Sequence, residues 1–526
     1  MQSAIRTPRR RSALRLLAAV AAGGLIATAL AACSGGSGSD TTQQTLTIGM
    51  AQTANNMDPH TASPAAYVFP AYATPIYLAP DGDLVPDLAT EWGYTDDQNT
   101  TFEFTLRDGV TFSDGDTLDA DAVVASLERF LDLEGNQNLA SAGPVSAITA
   151  VDDDTVRISY SEPFPNAALS LTQDYNFGFI ISPTGLADPD SLMTESHGAG
   201  QYVLDASQTV IDSVYTFTPN ANYWNPDAVK FSEVVLKPTT DPAAQLAALE
   251  SGEIDYAMNM SAINVASAVS AGFVNASGAG QIWYLMLQAR DAAPLSDSRV
   301  REAISLAIDR DAIVSSVFQD LGEPLSSNVA PGQLGSYQTE VTAQDIAQAK
   351  ELLAEAGYAD GFTLTALDTD ALDANSAFAV ALQGQLAQVG ITLNLDVASG
   401  SFDTFLGSLF AGTDQTTAFP LQNINLYSQY LLNLTAGSIA NLAGSTDDAV
   451  SAAVAETAMS DEDTQDAAYT DLAKALDDAL WNVPVALAYT NHPHVASLEN
   501  FAETSVQMTP DGFAPDASLS WQFAAS

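Results

Sequence analysis

The chain has 526 residues, more than one ordinary hydrophobic core holds and enough for two or three domains. Lys and Arg total 16 against 65 Asp and Glu, a formal net charge of −49. A surface this acidic repels nucleic acid and anionic lipid head groups, which excludes DNA or RNA as a partner. A hydrophobic content of 47% separates the sequence from acidic disordered chains, so the charge reads as solubility.

Five of the 16 basic residues (Arg6, Arg9, Arg10, Arg11 and Arg15) precede Cys33, and no acid does, which leaves 11 bases against 65 acids for the rest. The basic start is followed by an apolar run over 16–30 and then Ala31-Ala32-Cys33, the pattern of a secretory signal with small residues before a cut. The run is short for a span, which needs about 20 apolar residues. The plainer readings are a signal peptide with an incidental Cys, or a membrane anchor. The segment resembles a bacterial lipobox. That resemblance implies cleavage before Cys33, lipidation of its sulfur and a lipid anchor at the outer face of the cytoplasmic membrane or in the periplasm. Cys33 is the only cysteine, so no intramolecular disulfide can form. Arg10-Arg11 is too weak a match to choose between Sec and twin-arginine export. Residues 34–42 (SGGSGSDTT) form a flexible tether.

Residues 46–50 (LTIGM) read as a first strand, and 55–60 (NNMDPH) as a turn-rich loop. In 100–130, Phe102, Phe104 and Leu106 alternate with polar residues, the period of a half-buried strand. Asp108-Gly109 and 113–116 (SDGD) supply turns, and Asp119 is placed to cap a helix with Val123, Leu127 and Phe130 on its apolar stripe. Residues 145–160 form a hairpin through the acidic turn Asp152-Asp153-Asp154, which lacks the Gly and terminal Glu of a calcium loop. Residues 198–202 (GAGQY) open another strand pair. Asp241-Pro242 starts a helix that Gly252 ends, and Asp297 starts a helix over 297–308. Residues 342–345 (TAQD) resemble a capping box before a helix ended by Gly357. A strand over 362–367, a helix over 374–389 and a strand over 391–397 make a β-α-β unit and at least one parallel pair. A last helix spans 466–481, with strand and loop after it.

The runs at 84–92 (LVPDLATEW), 104–130, 198–224, 246–255 (LAALESGEID), 294–314 (PLSDSRVREAISLAIDRDAIV), 345–362, 386–391 and Val483-Pro484-Val485 resemble, in order and spacing, the extracellular solute-binding proteins of family 5. These are the oligopeptide, dipeptide and nickel binders that feed ABC importers. Asp119 stands where a Thr is usual, and Gly200-Gln201-Tyr202 replaces Gly-Pro-Tyr. The resemblance implies an α/β, two-lobed periplasmic-binding-protein-like fold with an extra small α+β domain inserted in the first lobe. Lobe 1 would comprise 45–79, 188–281 and 490–526. The inserted domain would be 80–187 and lobe 2 282–489, after a signal peptide (1–32) and tether (33–44). Hinges would lie near Trp283 and Tyr489.

The same resemblance implies ligand-facing positions at Ser63, Met258, Asn259, Trp283, Tyr284, Phe419, Gln422, Asn423, Tyr489 and His492. Met offers an adaptable apolar wall and Asn a donor and an acceptor. Family peptide binders often carry a Trp and then an Asp in the stretch equivalent to 419–427 (FPLQNINLY), the Asp pairing with a ligand ammonium. Here no carboxylate occurs from Gln415 to Tyr430. An ammonium facing an amide loses a charge-assisted bond of roughly 1.5–3 kcal/mol, so a polar or backbone-held ligand fits the amides better. His492 and His494 flank Pro493 without a third His nearby, so no metal is assigned and no cofactor is expected. The implied role is a monomeric solute-binding subunit, not an enzyme: capture of a small organic solute, foremost a peptide, and delivery to an ABC permease. The alternatives are a non-peptide polar solute, a metal chelate, or a carboxylate-dependent hydrolase. No Gly-x-Ser-x-Gly, HExxH or P-loop is present.

Overall fold

The computed structural model describes residues 44–524, apart from 137, 339, 371, 373, 400–401, 462 and 502–510. The expectations for the signal segment, Cys33 and the tether lie outside the described residues. No helix among the described residues is long and apolar enough to cross a membrane.

Alternation over Thr101–Leu106 produces a strand with Phe102, Phe104 and Leu106 buried and their neighbours half-buried. It pairs with Ala89–Tyr94 on one side and Thr155–Tyr160 on the other, and Val145–Ala150 completes a four-stranded antiparallel sheet. Asp119 Oδ1 accepts the Ala122 N–H at 2.9 Å and starts the helix Ala120–Asp132. That helix buries Val123, Leu127 and Phe130 against the sheet, each burial worth about 1.5–3 kcal/mol. Sheet and helix form the small α+β unit.

The main sheet of eleven strands carries both lobes. In the first, Thr45–Met50 lies parallel between Glu233–Pro238 and Tyr256–Met258. In the second, Phe362–Thr369 and Ile391–Ala398 pair in parallel over eight residues each, joined through the helix Ala377–Leu386. This is the β-α-β unit read from the sequence. Two 13-residue strands, Val274–Met286 and Asn482–His494, join the halves as one antiparallel ladder. Their ends at 274–278 and 490–494 pair near the first lobe, and 281–286 pairs with 482–488 in the second.

Between Gly278 and Gln281 the ladder slips register. Here three backbones converge. Gly280 lies against Ala488 and Tyr489, so a Cβ on Gly280 would overlap the Ala488 carbonyl oxygen. Gly322, on the short strand Gly322–Pro324, approaches the Leu487 carbonyl from the other side. Only glycine admits such approach. Beyond this neck the first crossing strand splits its side chains between two cores. Trp283, Leu285 and Leu287 enter the helical core with Val300, Ile304 and Leu382. Ile282, Tyr284 and Met286 join the cluster that contains Leu421, Leu426, Leu472 and the apolar residues of the small unit.

Two local readings are corrected. The helix Ile346–Glu355 is capped by Asp345, whose Oδ1 accepts Gln348 N–H at 2.9 Å, and not by Thr342. Thr342 is held elsewhere: its N–H donates to Ser326 Oγ and its carbonyl accepts Arg310 Nη1. The last long helix ends at Asp478, short of Trp481, because Leu480 takes a left-handed φ of 42° and turns the chain into the second crossing strand.

Asp87 and Asp511 are buried close together under the small unit, and burial pushes each carboxyl up to about 7. Trp224 Nε1 and Thr74 N–H donate to Asp87, and Phe513 N–H to Asp511. A raised folded pKa favours the protonated native state. The contribution is full below pH 4 and is lost as pH rises through 7.

Gly280→Ala is expected to cost more than about 3 kcal/mol or to prevent folding, whereas Gly109→Ala, in an open turn at positive φ, costs about 1 kcal/mol; urea unfolding followed by circular dichroism compares them. Asp87→Asn should gain stability relative to the parent chain as pH rises from 4 to 8, on the order of 1–4 kcal/mol, measured by urea titrations at each pH. A constant difference across that range would contradict the neutral carboxyl.

Candidate functional site

The neck is where the family resemblance placed most of the ligand-facing positions. Gly280 O accepts the Asn423 N–H at 3.2 Å, and Gln281 pairs with Gln422, so Thr416–Gln422 delivers the 422–425 loop directly beside the slipped register. Tyr489 N–H donates to Leu321 O at 3.2 Å. On the first-lobe side Met260 N–H donates to Asn491 O at 2.8 Å, and Asn259, at a left-handed φ of 54°, donates its N–H to His492 Nδ1 at 3.3 Å. Because Nδ1 accepts, the proton of His492 sits on Nε2, which faces Thr490 Oγ1 at 3.1 Å. Burial, then His494, pulls the His492 pKa down to about 3, so the ring is neutral. It stacks on Tyr256 at 5.6 Å.

The structure therefore brings Asn259, Gln422, Asn423, Tyr489 and His492 around one neck. Asn259 and Gln422 are exposed and Tyr489 is half-buried, so these three side chains are open to a solute. Met258 is buried in the first-lobe core, and its carbonyl accepts Gln245 Nε2 at 2.9 Å. Ser63 is exposed on a separate loop, where its N–H donates to Asn55 Oδ1 at 2.7 Å.

Three of the expected aromatic positions lie in packed cores in this structure. Trp283 packs against Phe318 and Phe378 in the second lobe's helical core, with ring centroids 5.3 and 5.0 Å away. Tyr284, one residue on, turns to the opposite face and is fully buried beside Gln429. Phe419 stacks on Phe405 at 4.7 Å. All three act as core residues here, because strand alternation aims successive side chains into two packed layers.

Asn425, in the stretch that lacks an acid, is a fastener. Its Oδ1 accepts Tyr427 N–H at 3.0 Å and Ser428 N–H at 3.3 Å, which caps the helical turn Leu426–Gln429. The same oxygen accepts Asn166 Nδ2 from the small unit at 2.8 Å and Tyr469 OH at 3.2 Å. Asn166 Nδ2 also donates to Ser428 Oγ, and Tyr469 OH to Asn166 Oδ1 at 2.6 Å. A second tie runs from Asn99 Nδ2 to the Ala458 and Ser460 carbonyls at 3.1 and 2.7 Å.

Sequence reasoning missed Glu323. It lies on the Gly322–Pro324 strand at the neck with its carboxylate hydrogen-bonded by Tyr489, and burial raises its pKa. A three-residue edge strand has no periodicity to read. A Ser–His–carboxylate run was also not visible in the sequence: Ser191 Oγ is 3.0 Å from His197 Nε2, and His197 Nδ1 is 3.1 Å from Asp114 Oδ2. The Ser191 hydroxyl donates to the Asp188 carbonyl at 2.7 Å, which takes the proton a nucleophile would hand to the ring. Ser182 Oγ donates to the same Asp114 oxygen. The run clamps the 113–116 turn to the 182–197 segment.

Residues 83–431, more than half of the chain, match the sequence profile described as bacterial extracellular solute-binding proteins, family 5 Middle. The chain is 30% identical over 305 residues to the glutathione-binding protein GsiB of Salmonella paratyphi A, covering 57% of this chain and 58% of that protein. The same protein in Escherichia coli O157:H7 is 29% identical over 309 residues, covering 58% and 59%. The matches span less than three fifths of those relatives. Among solved structures, AgaA from A. tumefaciens R10 in complex with agropinic acid is similar with a TM-score of 0.74 at 22% identity, covering 92% of this chain and 99% of that one. DppA from Helicobacter pylori in complex with the peptide STSA gives 0.72 at 22%, covering 91% and 98%. These likenesses establish the two-lobed fold.

Asn425→Ala would leave one hydrogen of the buried Asn166 amide without its acceptor and uncap Leu426–Gln429. A loss of roughly 2–4 kcal/mol is expected in urea unfolding, against less than about 0.5 kcal/mol for exposed Gln422→Ala.

Proposed function

The chain belongs to family 5 of the bacterial extracellular solute-binding proteins, and on that premise we propose that it is the lipid-anchored capture subunit of an ABC importer, holding a short peptide or peptide-like solute between its lobes. Cys33 carries the lipid in this reading, and an ABC permease in the membrane receives the solute. The observation that carries the proposal is the neck. Two crossing strands link the lobes, their ladder slips at Gly278–Gln281, and open polar side chains from both lobes border the slip. Ligand bound there would favour a closed arrangement over the open one.

Asn259, Gln422 and Tyr489 suit backbone amides and carbonyls of an extended solute, since each offers a donor and an acceptor. Glu323 supplies the negative group that 415–430 lacks. A ligand ammonium beside it would convert a carboxyl raised by burial into an ion pair. The relatives' glutathione and the peptide of DppA are compatible in chemistry with such a site. The amides at 422 and 423 also suit a non-peptide polar solute, the second reading, for which agropinic acid in AgaA is a parallel.

Native mass spectrometry of gently purified protein tests this. A set of short peptides is the expected cargo, and a single non-peptide species would overturn the peptide reading. Glu323→Gln should weaken binding of a free-amine peptide roughly tenfold or more and leave the N-acetylated peptide unchanged, by calorimetry. Cys33→Ala should move the protein from the membrane fraction to the medium or periplasm.

A further inference from the structure

The loop after the first crossing strand and the turn before the second meet at the outer end of lobe 2. Arg290 comes from the first, Trp481 from the second, Asn482 from the first position of the second crossing strand, and Arg301 from the helix Ser298–Leu306. The Arg290 guanidinium lies 4.2 Å above the Trp481 ring. Arg301 Nη2 donates to Ala479 O at 3.2 Å, two residues before Trp481, and its Nη1 to Leu295 O at 3.0 Å. Asn482 Oδ1 accepts the Leu287 N–H at 3.1 Å, which directs its amide nitrogen elsewhere.

Four buried N–H groups in this cluster have no acceptor among the described residues: Arg290 Nη1, Arg301 Nε, Trp481 Nε1 and Asn482 Nδ2. Each orphan donor costs about 1–3 kcal/mol if nothing meets it, and buried polar groups are almost always met. Neither arginine forms an ion pair among the described residues, although this chain is rich in acids. Three acids act on these arginines and no carboxylate among them bonds to either guanidinium: Asp297 pairs with Arg299, Asp291 is exposed, and Asp447 Oδ1 caps the helix Asp448–Ala458 by accepting Ala449 and Val450 N–H groups. Burial, then the neighbouring Arg301 guanidinium, lowers the Arg290 pKa, and burial lowers that of Arg301.

All four orphans are donors, and no orphan acceptor accompanies them on these two loops. A water molecule would bring two hydrogens that themselves need acceptors, so water alone does not satisfy the site. An anion does. Arg290, Trp481 and Asn482 are 7, 3 and 1% exposed, so the occupant is small. We propose that lobe 2 holds a structural binding site for a monovalent inorganic anion of chloride size, formed by Arg290 Nη1, Arg301 Nε, Trp481 Nε1 and Asn482 Nδ2. The anion would pin the turn at Leu480 to the loop after the first crossing strand.

Thermal unfolding in sodium chloride against sodium gluconate at matched ionic strength tests this, because matching removes the general screening a −49 chain feels. Tm should rise by roughly 2–4 °C in chloride at about 100 times the dissociation constant. Arg290→Met should abolish the difference. If that variant does not fold, Trp481→Phe keeps the ring and removes one donor, and should reduce the chloride response. Crystals grown in sodium bromide should show an anomalous peak within hydrogen-bond distance of the four donors. Equal Tm in both salts, an undiminished response in the variants, or a bromide-free ordered water at the site would each overturn the proposal.

Discussion

The close approach of three backbones at Gly280, Ala488 and Gly322 is the constraint on which the rest of the molecule depends. Side chains are excluded there, so the lobes are held by main-chain geometry rather than by packing. Pairing resumes on either side of the slip, with one further register shift between Trp283 and Tyr284, and each half of each crossing strand becomes an integral strand of its own lobe. Bending is therefore cheapest where bonds are already missing, at Gly278–Gln281. In the proposed closure, the residues around that point would change environment, which is the property a capture site needs.

Scarce cations are spent on the main chain. Arg310, a buried residue, donates to the carbonyls of Leu325, Pro484, Ser305 and Thr342 and to Ser305 Oγ, at 2.9–3.2 Å. Burial pulls its pKa down only to about 10, so it stays charged. It knits the second crossing strand to two loops without any carboxylate. A lysine, with three donors at one point, could not span those acceptors. Arg107 lies 3.7 Å over Trp224 beside Asp87, and Arg129 joins Asp58 and His60. In a strongly acidic chain such placements hold segments that the abundant acids would otherwise push apart.

What was legible in the sequence was local. Asp119, Asp241 and Asp297 cap helices because a short carboxylate next to free N–H groups is a one-residue signal. The alternation at 101–106 and the β-α-β unit followed from period alone. The site was less legible. Trp283 and Tyr284 face opposite cores, and no reading of one strand tells which layer lies on which side. Glu323 and the Arg290–Trp481 contact arise where segments distant in sequence meet, so their pairing has no local pattern. Asn425 reads as an amide in place of an acid. That its oxygen is already shared by four donors depends on Asn166 and Tyr469, each far away in the chain.

That sharing ties recognition to shape. If the 422–425 loop chooses the solute, the same loop also fastens the small unit against lobe 2, so the fraction of molecules closed in the absence of solute depends on it. Apparent affinity scales with that fraction. A substitution at 425 would thus shift binding of every solute by a common factor, including those that never touch the residue. Selectivity among solutes would have to be adjusted at neighbouring positions such as 422, where no such tie exists. In that reading, three residues separate the setting of how tightly the molecule closes from the choice of what it closes on.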